Sequence, residues 1–155
     1  MSKTLDDKLN EVSADILKMG NLIQDTVKDA IKAFFTGDVE LAQKIIDNDT
    51  RVDDYDINIE EKCMYIQAEH QPVAGDLRFI HSIYLIVIYL ERIGDIAVSI
   101  AKLVKRLYLQ GKRPIRKEMG YAAHIYSLRM FSVDFFPFLT SLGRDSMERG
   151  ALGGQ

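Results

Sequence analysis

The 155-residue sequence contains no tryptophan, one cysteine and only three prolines. A single cysteine excludes a disulfide-stapled scaffold, and so few prolines exclude a collagen-like or proline-rich chain. The hydrophobic fraction of 47% and the charged fraction of 28% are ordinary for a globular domain. The net charge is −3, so the composition gives no sign of a nucleic-acid-binding protein, and we expect no nucleic-acid partner.

The sequence also lacks an apolar run long enough to cross a bilayer. The most apolar stretch, residues 83–90, is followed by Glu91 and Arg92, whereas a spanning helix needs about 20 apolar residues. We therefore expect this stretch to belong to a helix that is buried on most of its faces. The N-terminus turns acidic at Asp6 and Asp7 without a signal-peptide pattern, and a lone cysteine suits a reducing compartment. The sequence predicts a cytoplasmic protein.

Apolar residues recur at steps of three and four from Leu5 to Phe34, which is typical of a long amphipathic helix. Gly37 and Asp38 then predict the end of one helix and the start of the next. Pro72 suits the first turn of a third helix, because its missing N–H costs nothing there. We expect long helices over residues 5–36, 38–69 and 72–108. No alternation of strand type is present, so the predicted fold class is all-α, with antiparallel helices and short connections.

The remaining residues predict one more helix, which begins at Ile115. Pro137 should break or kink it near Phe136, and the glycines after Leu142 predict a flexible tail. Met119-Gly120 echoes Met19-Gly20, with a Phe-Phe pair following each at nearly the same spacing, which indicates the start of a second copy of helix one. The predicted organisation is a three-helix repeat over 1–110, one further helix over 111–142 and a tail over 143–155.

Carboxylates concentrate on the second predicted helix, where residues 38–61 hold nine acids and two bases. Asp49, Asp53, Asp56 and Glu60 are four, three and four residues apart, so they form a stripe at the edge of the apolar face. Like charges at this spacing repel by a few tenths of a kcal/mol per pair. Such a stripe is either an ordinary solvated face or one side of a binding site.

The third predicted helix carries a matching pair, Glu91 and Asp95, four residues apart in its most apolar region. We expect both to be partly buried where helices pack, and Gly94 to permit close approach of a neighbouring helix or an ion. Buried carboxylates are usually paired or bound to a metal. Two facing carboxylate pairs predict an all-oxygen site for a hard cation or an iron-type cluster. The alternative is an ion-pair network in which Arg92 binds Asp95 or acids of the second helix.

Two motifs resemble the PhoU family of phosphate-signalling proteins: QPVAGDLR over residues 71–78 and LERIGDIA over residues 90–97. The segment from Asp49 to Asp53 also fits, and the resemblance extends over residues 5–109. It implies a tandem pair of three-helix bundles with acidic E/D-x-x-x-D motifs that bind metal ions or clusters. Carried over to this sequence, the metal motif falls on Asp49, Asp53, Glu91 and Asp95.

The resemblance implies a regulatory function. Cytoplasmic proteins of this type restrain a phosphate ABC transporter and its sensor histidine kinase when phosphate is plentiful. The expected partners are therefore the transporter ATPase and the kinase. The expected cofactors are divalent or ferric ions, that is iron, zinc, manganese or magnesium.

Nothing after Ile115 supplies the other two helices of a second repeat. Because a shortened chain leaves apolar faces uncovered, we expect a homo-oligomer, with a dimer as its form. The segment from Lys102 to Lys117 holds seven bases and no acid. It is either a solvated face or a docking site for an acidic membrane leaflet or partner protein, which would place the protein near a membrane.

The sequence offers little support for catalysis. A di-iron enzyme in a four-helix bundle uses Glu-x-x-His motifs, and this sequence contains none. A zincin motif and a glycine-rich phosphate loop are also missing. We therefore predict that the protein is not an enzyme, and a metal-free helical adaptor is the main alternative to a metal-binding regulator. Cys63 is expected to be an inert core thiol.

Overall fold

The computed structural model describes residues 4–112, and within that range every regular element is a helix. The helices are α1 Leu5–Thr36, α2 Val39–Asp47, α3 Thr50–His70 and α4 Ala74–Leu109. Helices α2 and α3 follow one another as a single arm, so the unit is a bundle of three rods. The predicted all-α class is confirmed. The predicted helix from Ile115, the kink at Pro137 and the tail lie outside the described residues.

Helix α1 begins and ends where its side chains predict. The Thr4 hydroxyl accepts a hydrogen bond from the Asp7 N–H at 3.2 Å, and the Thr4 N–H donates to the Asp7 carboxylate at 3.1 Å. This reciprocal pair satisfies two amide groups that the first turn leaves without partners. Gly37 ends the helix in the left-handed conformation at φ 68°. Asp38 then caps α2 by accepting from the Leu41 N–H at 2.9 Å.

The prediction of one unbroken helix over residues 38–69 is wrong, because a turn at Asn48 and Asp49 separates α2 from α3. The N–H groups of Arg51 and Val52 donate to carbonyls three residues back, at 3.1 and 2.9 Å. Asn, Asp and Thr stand in succession at residues 48–50, and their short polar side chains compete with the helical bonds of the backbone. The break places Asp49 directly before the first turn of α3.

Two clusters of apolar side chains hold the rods together. In the larger one, Val12, Met19 and Ile23 of α1 are fully buried and pack with side chains of α3 and α4. Full burial of a side chain of this size stabilises the fold by about 1.5–3 kcal/mol. The smaller cluster joins α1, α2 and α4, and alanines at positions 30, 33, 42, 97 and 101 let these helices approach closely.

The lone cysteine behaves as predicted. Cys63 is fully buried in the larger cluster. Burial first, and then the charge of Glu60, raise the pKa of its thiol to about 12. A thiol with so high a pKa is almost entirely protonated at neutral pH and is therefore a poor nucleophile.

The apolar stretch at 83–90 lies within α4, but the expectation that most of its faces are buried is wrong for the described part of the chain. Ile83, Val87 and Leu90 are buried, whereas Leu85 and Tyr89 are 47% and 60% exposed. A helix in a three-rod bundle covers only the side that faces the other two rods. Among residues 4–112, no helix combines the length and the apolar character that a membrane span needs.

Candidate functional site

The predicted carboxylates of α3 and α4 lie close enough for their charges to act on one another. The pKa of Asp49 is raised, first by burial and then by the charges of Asp53 and Asp95. Asp53 belongs to α3 and Asp95 to α4, so the effect crosses from one helix to the other. We call the surface formed by Asp49, Asp53, Asp56, Glu91 and Asp95 the acidic face.

Glu91 experiences the same field from the opposite helix. Burial raises the pKa of Glu91, and the charges of Asp95, Asp56 and Asp53 raise it further, in that order. Asp56 therefore belongs to the acidic face, although the family motif does not include it. Its position in the carboxylate stripe of the sequence was the signal for it. The charges of the four predicted residues thus influence one another across α3 and α4.

The expectation that both α4 carboxylates are partly buried is right for Glu91 and wrong for Asp95. Glu91 is half-buried, whereas Asp95 is exposed. Four residues advance an α-helix by about 40° beyond one full turn. Because Glu91 already lies at the edge of the buried side of α4, this rotation carries Asp95 away from the core.

The donor set of the acidic face suits a hard cation, because carboxylate oxygens are the ligands that such ions prefer. Within residues 4–112, however, no three His, Cys, Asp or Glu side chains are grouped so that they could hold one metal ion. The carboxylates share a face without converging on a point. Metal ligation by Asp49, Asp53, Glu91 and Asp95 stays a prediction.

Arg92 does not form the predicted ion-pair network with any carboxylate of the described part. The ion pairs of the described residues involve other side chains. Arg92 acts on Glu91 through its positive charge, which lowers the pKa of Glu91. The charge of Lys102 likewise lowers the pKa of Asp49. Neither cation outweighs the burial and repulsion that raise these two pKa values, so the acidic face remains a region of uncompensated negative charge.

Gly94 is buried and packs against Val52 of α3. A Cβ built on Gly94 would lie 3.5 Å from Val52 Cγ1 and 4.0 Å from Ile23 Cγ1, which are ordinary van der Waals contacts. The helices are therefore not packed so closely here that only glycine fits. Gly94 therefore lies at the expected contact with a neighbouring helix, although an alanine would also fit there.

Sequence reasoning missed one buried carboxylate. Asp15 of α1 is 7% exposed and forms ion pairs with Lys18 and with Lys62 of α3. Burial raises the pKa of Asp15, but hydrogen bonds from Lys62 and Lys18 outweigh it, so the pKa is lowered. The signal was its position between Val12 and Ile16 on the apolar stripe of α1. Because both ammonium groups satisfy it, Asp15 joins α1 to α3 rather than offering a binding site.

The described part of the basic segment lies at the C-terminal end of α4. Lys102, Arg106 and Lys112 are exposed. Lys105 is half-buried and donates a hydrogen bond to the Gln43 side chain, so it ties α4 to α2. The other three bases of the segment lie outside the described residues.

Residues 16–104 match the family model described as PhoU domain. The "Phosphate-specific transport system accessory protein PhoU homolog" of Pseudomonas putida is 40% identical over 114 residues, which cover 74% of this chain and 44% of that protein. The Escherichia coli K12 protein "Phosphate-specific transport system accessory protein PhoU" is 32% identical over 108 residues, covering 70% and 45%. This chain therefore spans less than half the length of these relatives.

The fold is also similar to a solved structure. The crystal structure of PhoU from Pseudomonas aeruginosa superposes with a TM-score of 0.74 at 34% sequence identity, over 83% of this chain and 60% of that chain. The matched sequence segment, residues 16–104, covers more than half of the 155 residues and includes every residue of the acidic face. This chain belongs to the PhoU family.

Proposed function

We propose that this chain is a metal-binding, negative regulator of phosphate uptake and signalling. It would act in the cytoplasm, by contact with the ATPase of a phosphate ABC transporter and with its sensor histidine kinase. Family membership and the names of the relatives, which are accessory proteins of the phosphate-specific transport system, support the regulatory part. The acidic face, with carboxylates of two helices in one another's field, is the observation that carries the metal-binding part.

Both sides of the acidic face would contribute metal ligands. Asp49, at the start of α3, Asp53 within it, and Glu91 and Asp95 of α4 would supply carboxylate oxygens to iron, zinc, manganese or magnesium. A bound cation supplies positive charge that offsets the repulsion between these side chains. It would therefore hold α3 and α4 together where like charges otherwise oppose their contact.

Equilibrium dialysis of the full chain against each ion, followed by elemental analysis, tests metal binding. We expect Glu91→Gln combined with Asp53→Asn to weaken binding at least about tenfold, since one ligand is lost from each helix. Glu61→Gln is the matched control, because Glu61 is an exposed acid of α3 outside the acidic face. Equal binding by all three proteins, or none by the wild type, would contradict the metal-binding part.

The basic end of α4 is the proposed contact with an acidic partner surface. Arg106→Glu combined with Lys112→Glu should abolish co-purification with the transporter ATPase or the kinase. Lys105 is unsuitable for this test because its bond to Gln43 supports the fold. Lys32→Glu, at an exposed position of α1, is the control and should leave co-purification unchanged. Co-purification that survives the double reversal would refute this contact.

A metal-free helical adaptor is the second candidate function. It is favoured by the spread of the carboxylates within residues 4–112, where no group of three is placed to hold an ion. Repeating the co-purification in a chelator separates the two functions. Partner binding that persists in the chelator supports the adaptor, whereas binding that is lost and then restored by one of the four ions supports the metal-dependent regulator.

Self-association as a dimer is also part of the proposal. Helix α3 presents three apolar side chains that are more than half exposed, Ile57, Met64 and Tyr65. Covering them with a second copy would remove apolar surface from water. Sedimentation at several concentrations should give a dimer for the wild type and a monomer for Met64→Glu. A monomeric wild type would exclude this part.

A further inference from the structure

An open groove of about 490 Å³ lies between α1 and the arm formed by α2 and α3. Its apolar lining consists of Leu22, Leu41 and Ile45, which are buried or half-buried, whereas the charged side chains that line it are exposed. The apolar side chains therefore form the floor of the groove. A volume of this size accommodates a small organic molecule. We call this feature the α1–α2 groove, and it shares no residue with the acidic face.

Three bases from three different helices line the α1–α2 groove: Lys18 of α1, Lys44 of α2 and Arg51 of α3. The pKa of Lys18 is raised, first by its hydrogen bond to Asp15 and by the charge of Asp15, and further by the charge of Tyr55 of α3. Lys18 therefore lies near Tyr55 across the groove. Because Arg51 is four residues before Tyr55 on the same helix face, Lys18 and Arg51 lie at the same end of the groove.

The positive charges of the groove are largely uncompensated. Lys44 and Arg51 form no ion pair with any residue between positions 4 and 112. Lys18 shares the single carboxylate of Asp15 with Lys62, so this trio keeps one positive charge. The bases of the groove thus leave three positive charges without a carboxylate of their own.

Two carboxylates line the groove further along α1. Asp25 is already paired with Lys28 at 3.4 Å, whereas Asp29 has no ion pair within the described helices. Lys18 and Asp29 are eleven residues apart, which places them about 16 Å apart along the axis of α1. Three positive charges and one negative charge leave the groove with a net charge of about +2, concentrated toward the end formed by Lys18 and Arg51.

This arrangement has the chemistry of a site for a small phosphate ester. A phosphate monoester carries a charge of about −1.5 to −2 at neutral pH, which matches the uncompensated charge of the groove. Arginine binds phosphate oxygens in pairs, and lysine adds a point charge. The apolar floor suits a ring system, and the carboxylate of Asp29 can accept hydrogen bonds from hydroxyl or amino groups.

We propose that the α1–α2 groove binds a phosphate monoester of nucleotide size. Its phosphate is held by Lys18, Lys44 and Arg51, and its organic part lies over the apolar floor toward Asp29. A long polyphosphate is disfavoured, because its charge would extend toward the two carboxylates of α1. The inference does not depend on the proposed function, since the groove contains neither the acidic face nor the basic end of α4.

An NMR titration of the full chain in a chelator tests this proposal. The chelator removes any metal ion at the acidic face that could hold phosphate by itself. We expect adenosine monophosphate to shift the signals of the groove, including the side-chain amides of Asn21 and Asn48, which both line it. Inorganic phosphate and adenosine each lack one part of the ligand and should bind at least about tenfold more weakly.

Lys44→Gln combined with Arg51→Gln should weaken the binding of adenosine monophosphate at least about tenfold, because two charge-assisted contacts are lost. Lys32→Gln combined with Arg78→Gln is the matched control. It removes the same two charges from exposed positions outside the groove and should leave binding unchanged. Circular dichroism should show the same helical content for both double variants, since all four side chains are exposed.

Four results would overturn the proposal. Equal weakening by the two double variants would mean that general charge, and not the groove, attracts the ligand. Inorganic phosphate that binds as tightly as adenosine monophosphate would exclude an organic phosphate as the preferred ligand. Adenosine that binds as tightly would exclude the role of the three bases. The absence of binding by the folded wild type at millimolar adenosine monophosphate would exclude the site.

Discussion

Removing one charge from the acidic face should stabilise the metal-free protein. In the presence of a chelator, Glu91→Gln relieves the repulsion between Glu91 and Asp95, which are four residues apart on α4. Repulsion between like charges at this spacing costs about 0.2–0.5 kcal/mol. It also relieves repulsion from Asp53 and Asp56 and loses the attraction of Arg92. The balance is an increase of about 0.5–1 kcal/mol in the free energy of unfolding at neutral pH and low salt.

The gain should depend on pH in a defined direction. The pKa of Glu91 in the folded state is raised above its ordinary value of 4.5. A raised carboxylate pKa means that the wild type loses stability as the pH rises from 4.5 through the folded value. Below pH 4.5 the wild type is increasingly protonated and carries no such penalty. The advantage of Glu91→Gln should therefore be greatest at neutral pH and vanish in acid.

Urea unfolding followed by circular dichroism measures the effect. With a slope of about 2 kcal/mol per M, the midpoint should rise by about 0.25–0.5 M at low salt and by less at high salt, which screens the charges. Glu61→Gln should leave the midpoint nearly unchanged. A midpoint that falls for Glu91→Gln in the chelator would refute the reasoning, because it would mean that the charge of Glu91 stabilises the fold.

Four further substitutions test the packing. Gly20→Ala should stabilise the protein by about 1 kcal/mol, since a Cβ there meets no atom within 4 Å and alanine favours the helix; a lower urea midpoint would contradict this. Gly94→Ala should raise the free energy of unfolding by about 0.5–1 kcal/mol, because alanine favours the helix and its Cβ would make ordinary contacts, 3.5 Å from Val52 Cγ1; a loss of stability would mean that α3 cannot accept the methyl group. Gln71→Gly should raise the free energy of unfolding by about 1 kcal/mol, because Gln71 has φ 46°; an unchanged urea midpoint would argue against strain at this residue. Asp15→Asn should cost about 2 kcal/mol at neutral pH through the weakened bonds to Lys62. Because the pKa of Asp15 is lowered, its contribution is present above pH 3.8 and is lost as the pH falls through the folded value, so unfolding curves should converge in acid.

The helical architecture could be predicted from the sequence because its determinants are local. The three- and four-residue spacing from Leu5 to Phe34 is a property of one segment, and so are the left-handed Gly37 and the cap of Asp38. The carboxylate stripe of α3 could also be predicted from the sequence, since spacing along one helix decides which residues share a face. The motifs around Pro72 and Glu91 were sufficient for the family.

Tertiary packing decided the features that depend on a second element. Helical spacing does not reveal that Lys62 lies over Asp15, or that Leu85 and Tyr89 remain exposed in the described part. The exposure of Asp95 likewise depends on where α3 lies relative to α4. Local spacing determines which side chains point the same way. What lies opposite them, and hence their burial and pKa, is determined by how the rods pack.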